Sequence, residues 1–297
     1  MEQIQAELRE DFERWKVQIG EDIYVGPNTV GILDVLRAHY LVIDFFATEY
    51  GEGVGGIGPK SLTMLHSTLS RQFSGYEHVM KWADNYHLCA TLFWGLIKNH
   101  PFHDVNKRTA LLTLFYHLIK VGRYPCSPPN LSTSREYERL AISIASNNLS
   151  AAYPRFRKLS REDDGDIHFV ADFLRRNTRK LDKADYRITY HQLDAILRKH
   201  GYALVNPDRN QIELSRFQEE PVGLLGSKTR KVWKRVTSIG FPGWNRQVNV
   251  ETVKKVRKLA YLTVEDGTDS DAFYHESDSL PALIPEFEGL LKRLSDR

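Results

Sequence analysis

Cysteine, methionine and long apolar runs are what this 297-residue chain has least of. It holds two cysteines, Cys89 and Cys126, and three methionines. Two scattered cysteines in a chain of this size argue for a reducing compartment and against a disulfide framework or a cysteine-based zinc site. No apolar run approaches the ~20 residues that a membrane helix needs, so no membrane partner is expected. The first residues are acidic and polar and lack the basic-then-apolar pattern of a secretory leader, which makes a cytoplasmic location the expectation. A large charge excess is missing too. Forty-one Lys and Arg face 38 Asp and Glu, a net charge of +3. Any nucleic-acid role must therefore rest on a local patch. What remains is an apolar fraction of 41%, ordinary for a globular chain, and enough length for two domains with proper cores.

Apolar residues recur at helical spacing over residues 2–16, 32–50, 60–69, 82–99 and 136–147. Glycines crowd residues 51–59 and mark a loop; the prolines at 125, 128 and 129 mark another over 123–134. An acidic run at 161–166 reads as a boundary, followed by a basic helix over 167–181 that suits a connector. From about 182 the texture changes. A short helix at 189–200 precedes strands at 202–206 and 211–215 around Pro207-Asp208-Arg209-Asn210, then a third strand at 231–241 and a helix at 250–261. The tail over 265–279 is acidic, and a last helix covers 285–297. The expected fold is mainly α: an all-helical first domain over 1–160, a linker helix within 161–181, and a smaller α+β domain over 182–297.

One run carries the chemistry. Residues 100–110 read His-Pro-Phe-His-Asp-Val-Asn-Lys-Arg-Thr-Ala. A titratable imidazole (His100), a carboxylate (Asp104), an amide (Asn106) and two fixed cations (Lys107, Arg108) share one short loop. Leu111, Leu114, Phe115, Leu118 and Ile119 then recur at helical spacing up to Gly122. The loop should open onto a helix N-terminus, where free backbone N–H groups and the helix dipole favour an anion. Asp104 alone is a good N-cap. Two cations in a first helical turn oppose the dipole, however, and a bound phosphate removes that conflict. Phe102 is expected to be buried as the anchor of the loop.

The run resembles the Fic/Doc (Fido) signature His-x-Phe-x-Asp/Glu-Gly-Asn-Gly/Lys-Arg, and is closest to the death-on-curing (Doc) branch. His100, Phe102, Asp104, Asn106, Lys107 and Arg108 fall on its positions without a gap. Val105 departs from the usual small residue. Lys107 stands where AMP-transferring members carry glycine and Leu111 where they carry a second arginine, both as in Doc. The resemblance spans about residues 55–122. It implies an all-helical Fido fold and ATP as substrate, with Mg²⁺ held by Asp104. Asn106, Lys107 and Arg108 would take phosphoryl charge, and His100 would act as general base on a hydroxyl of a target protein. Phosphate transfer of the Doc type is the expected activity, and AMP transfer of the Fic type is the alternative. A third reading makes the first domain a non-catalytic module, with the C-terminal domain gripping nucleic acid or protein.

The resemblance also implies a hairpin flap ahead of the pre-motif helix that holds the target in extended form. Ser70–Tyr76 stands in that place, with Arg71, Gln72 and Phe73 as its contact residues. A translation factor is a target consistent with the family, and the Doc resemblance implies a separate antitoxin. Thr48-Glu49-Tyr50-Gly51-Glu52-Gly53 matches the family's inhibitory pattern Ser/Thr-x-x-x-Glu-Gly, whose glutamate pairs with the motif arginine. Gly51 ends the helix there, so Glu52 is not expected to project from a regular helix. In the C-terminal domain Lys228, Arg230, Lys231, Lys234 and Arg235 interleave with Trp233. Such a run is ordinarily a solvated strand face, and a nucleic-acid backbone is the sharper alternative.

Overall fold

The computed structural model describes residues 4–76, 79–82, 84–125, 131–181, 187–222, 228–263, 266 and 279–294. The chain divides into two compact units, Met1–Asp182 together with Glu286–Arg297, and Lys183–Pro285. The fold is mainly α with a small α+β region towards the C-terminus.

The first unit is built on α1 (Ala6–Ile19), α2 (Ile32–Tyr50), α3 (Leu62–Ser70), α4 (Asn85–Asn99) and α5 (Asn106–Lys120). Helix α2 buries Leu36, Tyr40, Ile43 and Phe46 of the stripe its periodicity predicts, together with Ile32 and Val35, while Leu33, expected on that stripe, is only partly buried. Gly51 closes it in the left-handed conformation, φ 65°. Asp84 caps α4, its carboxylate accepting from the backbone N–H of Tyr86 at 2.8 Å and of His87 at 3.2 Å. Helices α4 and α5 are joined by the motif loop and form the centre of the unit.

Four departures from the sequence reading concern this unit. The hairpin expected at Ser70–Tyr76 lies later in the chain, as β1 (Gly75–Tyr76) paired with β2 (Val79–Met80) ahead of α4. Residues 123–134 contain a strand, β3 (Arg123–Pro125), and then α6 (Leu131–Ala145). After α7 (Leu149–Ala152) and α8 (Phe156–Leu159), α9 (Gly165–Arg176) is a body element rather than a connector. It buries Ile167, Phe169, Val170, Phe173 and Leu174, and Asp166 accepts from the Trp94 indole of α4 at 3.0 Å. It also ends early, because β4 (Thr178–Lys180) pairs antiparallel with β3.

The last departure is the C-terminal segment. Helix α13 (Glu288–Arg293) belongs to the first unit: Phe287 meets Phe115 at 4.2 Å, Leu290, Leu291 and Leu294 are buried, and Arg293 Nε donates to Glu138 at 2.6 Å. Just before it, α12 (Ser279–Glu286) spans the division between the units.

The second unit runs α10 (Tyr190–Lys199), β5 (Tyr202–Asp208), β6 (Gln211–Val222), β7 (Lys228–Gly240) and α11 (Val250–Leu259). A Thr189–Gln192 capping box starts α10. The strands form one antiparallel sheet in chain order. Leu193 and Ile196 of α10, Leu204, Ile212 and Ile239 of the sheet, and Val253 and Val256 of α11 share a single core. Strand β7 starts earlier than its alternation suggests. Its Lys228, Arg230 and Lys231 lie in backbone register with Val222, Glu220 and Glu219. The side chains of those three basic residues, like Cys126 and most of the acidic segment 265–278, lie outside the described residues. Lys234 and Arg235 are exposed, and Arg235 reaches Glu213 at 3.4 Å.

Two buried histidines in the first unit are neutral. His117 Nε2 lies 2.8 Å from the carbonyl of Asn28, so it donates, and burial pushes its pKa down to about 4. His39 accepts from the backbone N–H of Gly58 at Nε2 (3.2 Å), which leaves its proton on Nδ1, 3.2 Å from Thr109 Oγ1. Burial brings its pKa down to about 3. Both remain neutral in the fold while the unfolded chain takes up protons below pH ~6.5. Their contribution is therefore complete above that pH and is lost as the pH falls towards the folded values. Each should cost on the order of 2 kcal/mol at pH 5. The urea midpoint should drop between pH 7 and pH 5, and less steeply in His117→Gln.

Candidate functional site

The motif loop is held in shape from three sides. Phe102 is fully buried and stacks on the ring of His39, centroids 4.0 Å apart and planes 13° apart. Asn106, the first residue of α5, uses its whole amide on the loop: Oδ1 accepts from the Phe102 N–H at 3.0 Å and Nδ2 donates to the Phe102 carbonyl at 2.8 Å. The end of the glycine-rich segment lies alongside, with Pro59 bridged to Phe102 and the His103 N–H donating to the Gly58 carbonyl at 3.2 Å. Gly58 is needed there. Its φ is +76°, and a Cβ would come within 2.9 Å of both Asp11 and the Tyr40 hydroxyl.

Two turns in the loop use left-handed backbone. His100 closes α4 at φ 45° and Val105 opens α5 at φ 49°. For a β-branched residue the second costs about 1–2 kcal/mol, which explains why a small residue is the usual choice there. The turn at His100 carries its ring out of the helix. It is exposed and makes no hydrogen bond among the described residues. Partial desolvation, then Lys60, Lys107 and Lys98, hold its pKa below the ordinary value. Its surroundings thus favour the neutral, proton-accepting form of the ring.

Asp104 is ionised more readily than usual. Burial alone would raise its pKa, but Gly55 N–H at Oδ2 (2.7 Å), Val105 N–H at Oδ1 (2.6 Å) and the nearby Arg108 charge bring it down. Lys107 is half-buried and desolvation lowers its pKa.

Arg108 is only 3% exposed. Its Nη1 pairs with Glu52 at 2.8 Å, its Nε donates to the Leu291 carbonyl at 2.9 Å, and the guanidinium lies 4.0 Å from the Phe46 ring centroid. Its Nη2 is buried without a hydrogen-bond partner among the described residues. Glu52, His100, Asp104, Lys107, Arg108 and Leu294 line one pocket of about 330 Å³.

The structure therefore brings His100, Asp104, Asn106, Lys107 and Arg108 to a common cavity, with the side-chain amide of Asn106 engaged on the loop backbone. The contact residues expected of the flap are placed differently. Gln72 is fully buried and hydrogen-bonds both backbone groups of Val30; Arg71 lies 4.6 Å over the Trp94 ring; Phe73 is partly exposed against Tyr24. They form a 3₁₀ turn, and the hairpin begins two residues later. Glu52 reaches Arg108 from beyond the end of α2, so the pairing does not need a regular helix. The sequence offered no pointer to His39, Leu291 or Leu294, which are joined to the loop only by tertiary packing.

Residues 33–118 match the model of the Fic/DOC family. No curated protein and no solved structure matches the chain. The family match runs from the first turn of α2 almost to the end of α5, so it takes in Glu52, the glycine-rich segment and the whole motif. It supports an AMPylating or related transferase class for the first unit.

The charge environment of His100 can be checked without any activity. Histidine-detected NMR should show it titrating below 6.5, and Lys107→Met should move it upward by removing one neighbouring cation. An unchanged titration in the variant would contradict the electrostatic account.

Proposed function

We propose that the first unit transfers the γ-phosphate of ATP to a hydroxyl of a target protein. The observation that carries this is the convergence of a neutral, exposed His100 with Asp104, Lys107 and the buried Arg108 on one pocket. Asp104 fits a magnesium site: it is a single ionised carboxylate at the pocket wall, and Mg²⁺ commonly takes one or two protein carboxylates and fills its shell with phosphate and water. Bound there, Mg²⁺ would draw negative charge off the phosphoryl oxygens.

His100 accepts the proton of the target hydroxyl as its oxygen bonds to phosphorus; the bond to the leaving ADP oxygen breaks and ADP departs with the electron pair. Lys107 and Arg108 hold charge that grows on the transferring group. Attack at the γ-phosphorus is favoured by two positions. Lys107 fills the space at the α5 N-terminus that a glycine would leave open for close approach of other phosphates. Leu111 is fully buried, so no second cation stands one turn further on.

Three further readings rest on the same unit. The β1–β2 hairpin presents exposed Val79 and Met80 and is the proposed seat of an extended target segment. Arg108 is already neutralised by Glu52, so nucleotide phosphate must displace that carboxylate. A restraining partner protein and a translation-factor target remain proposals drawn from the family resemblance.

The test is transfer of label to protein in a cell lysate with Mg²⁺ and either α- or γ-labelled ATP. γ-Label alone should be incorporated, His100→Ala should lose it by about 10²-fold or more, and Asp104→Ala should lose its dependence on magnesium. Lys107→Gly should depress γ-transfer. Incorporation of α-label would assign AMP transfer instead, and label retained in His100→Ala would remove the base from the mechanism.

A further inference from the structure

We infer that the second unit binds the phosphate backbone of a nucleic acid through the outward face of α11. The near-neutral charge of the whole chain hides a strong local imbalance. Residues 183–262 contain sixteen Lys and Arg against seven Asp and Glu, a surplus of nine in 80 residues. The rest of the chain carries the compensating acids, six of them in the segment 265–278.

Helix α11 concentrates part of that surplus on one side. Val253, Val256 and Ala260 face the core shared with α10 and the sheet, and Arg257 is buried with its Nε on the Leu262 carbonyl at 2.8 Å. The opposite face presents Lys254, Lys255 and Lys258, all exposed; Lys258 follows Lys254 by four residues and Lys255 by three, the spacings that make helical side chains neighbours. Lys254 pairs with Glu251 at 2.9 Å, but the two side chains are 68% and 78% exposed, so the pair is weak and open to exchange. Lys255 and Lys258 have no carboxylate partner among the described residues. Strand β7 is a poorer surface where its side chains are described, because Arg235 is engaged by Glu213 at 3.4 Å.

What the face lacks decides the class of partner. A protein interface of useful affinity is centred on buried aromatic or aliphatic anchors. An amphipathic helix at a membrane inserts an apolar face below its basic one. Here the apolar face is already spent on the core, and only Val250 and Tyr261 are exposed, one at each end of the helix. Binding to a phosphate backbone is the one mode that runs on charge alone, driven by release of condensed counterions. It carries no base information, so sequence-independent recognition is expected.

The full-length protein is titrated with labelled duplex RNA, duplex DNA and single strands of about 20 nucleotides between roughly 50 and 200 mM salt, the range over which backbone contacts weaken strongly. Vesicles containing phosphatidylserine serve as the competing anion. Affinity for at least one nucleic acid should fall steeply with salt. The double variant Lys255→Gln, Lys258→Gln should weaken binding by about tenfold or more and reduce the log–log salt slope by about two, because two phosphate contacts are lost. Lys16→Gln, an exposed lysine on α1, should change neither. Glutamine keeps good helix propensity at these exposed sites, so the fold is retained. Absence of nucleic-acid binding at the lowest salt, vesicle binding in its place, or an unchanged slope in the double variant would overturn the inference.

Discussion

The buried guanidinium of Arg108 is the constraint on which the rest of the first unit depends. A charge removed from water must be neutralised and hydrogen-bonded, or it destabilises the fold by several kcal/mol. Glu52 supplies the charge, the Leu291 carbonyl supplies an acceptor, and the Phe46 face covers the plane. These partners come from just beyond α2, from α13 and from the C-terminal end of α2. One side chain therefore draws together segments nearly 240 residues apart in the chain. It leaves one nitrogen, Nη2, buried with no acceptor among the described residues. A site that holds a cation with one unmet donor is suited to exchange its carboxylate for an oxyanion that offers more acceptors.

The glycine-rich segment is the second half of the same arrangement. It carries Glu52 to Arg108 and the Gly55 N–H to Asp104, so a single stretch of chain contacts both charged groups that would handle nucleotide. Its end is fixed by Gly58, which donates to His39 beneath the stacked Phe102. Loop, motif and helix α5 are in this way keyed to one neutral imidazole.

Much of this was legible in the residues. The α2 stripe from Leu36 to Phe46, the burial of Phe102 and the gathering of His100, Asp104, Lys107 and Arg108 at one site follow from local pattern; the start of α4 at the Asp84 cap, later than residue 82, does not. What local pattern missed has a common cause. The β3–β4 ladder has three residues per strand, too few to show alternation. The early end of α9 at Asn177 is set by that ladder. Gln72 looks like a surface residue until the backbone of Val30 is brought to it. The return of α13 to the first unit and the reach of Glu52 past a helix-ending glycine are tertiary events with no periodicity to announce them. Asn106 was assigned to phosphate by its position in the motif, whereas both ends of its amide close the loop.

The central claim is that Glu52 and a nucleotide phosphate compete for Arg108. Calorimetric ATP binding in the presence of Mg²⁺ tests it most directly, comparing wild type with Glu52→Gln and Arg108→Ala. Removing the carboxylate charge frees the guanidinium for phosphate, so Glu52→Gln should bind ATP about tenfold or more tightly, equivalent to ~1.4 kcal/mol. Arg108→Ala should bind weakly whether or not Glu52 is present. Equal affinity in wild type and Glu52→Gln, with Arg108→Ala still binding, would contradict the account.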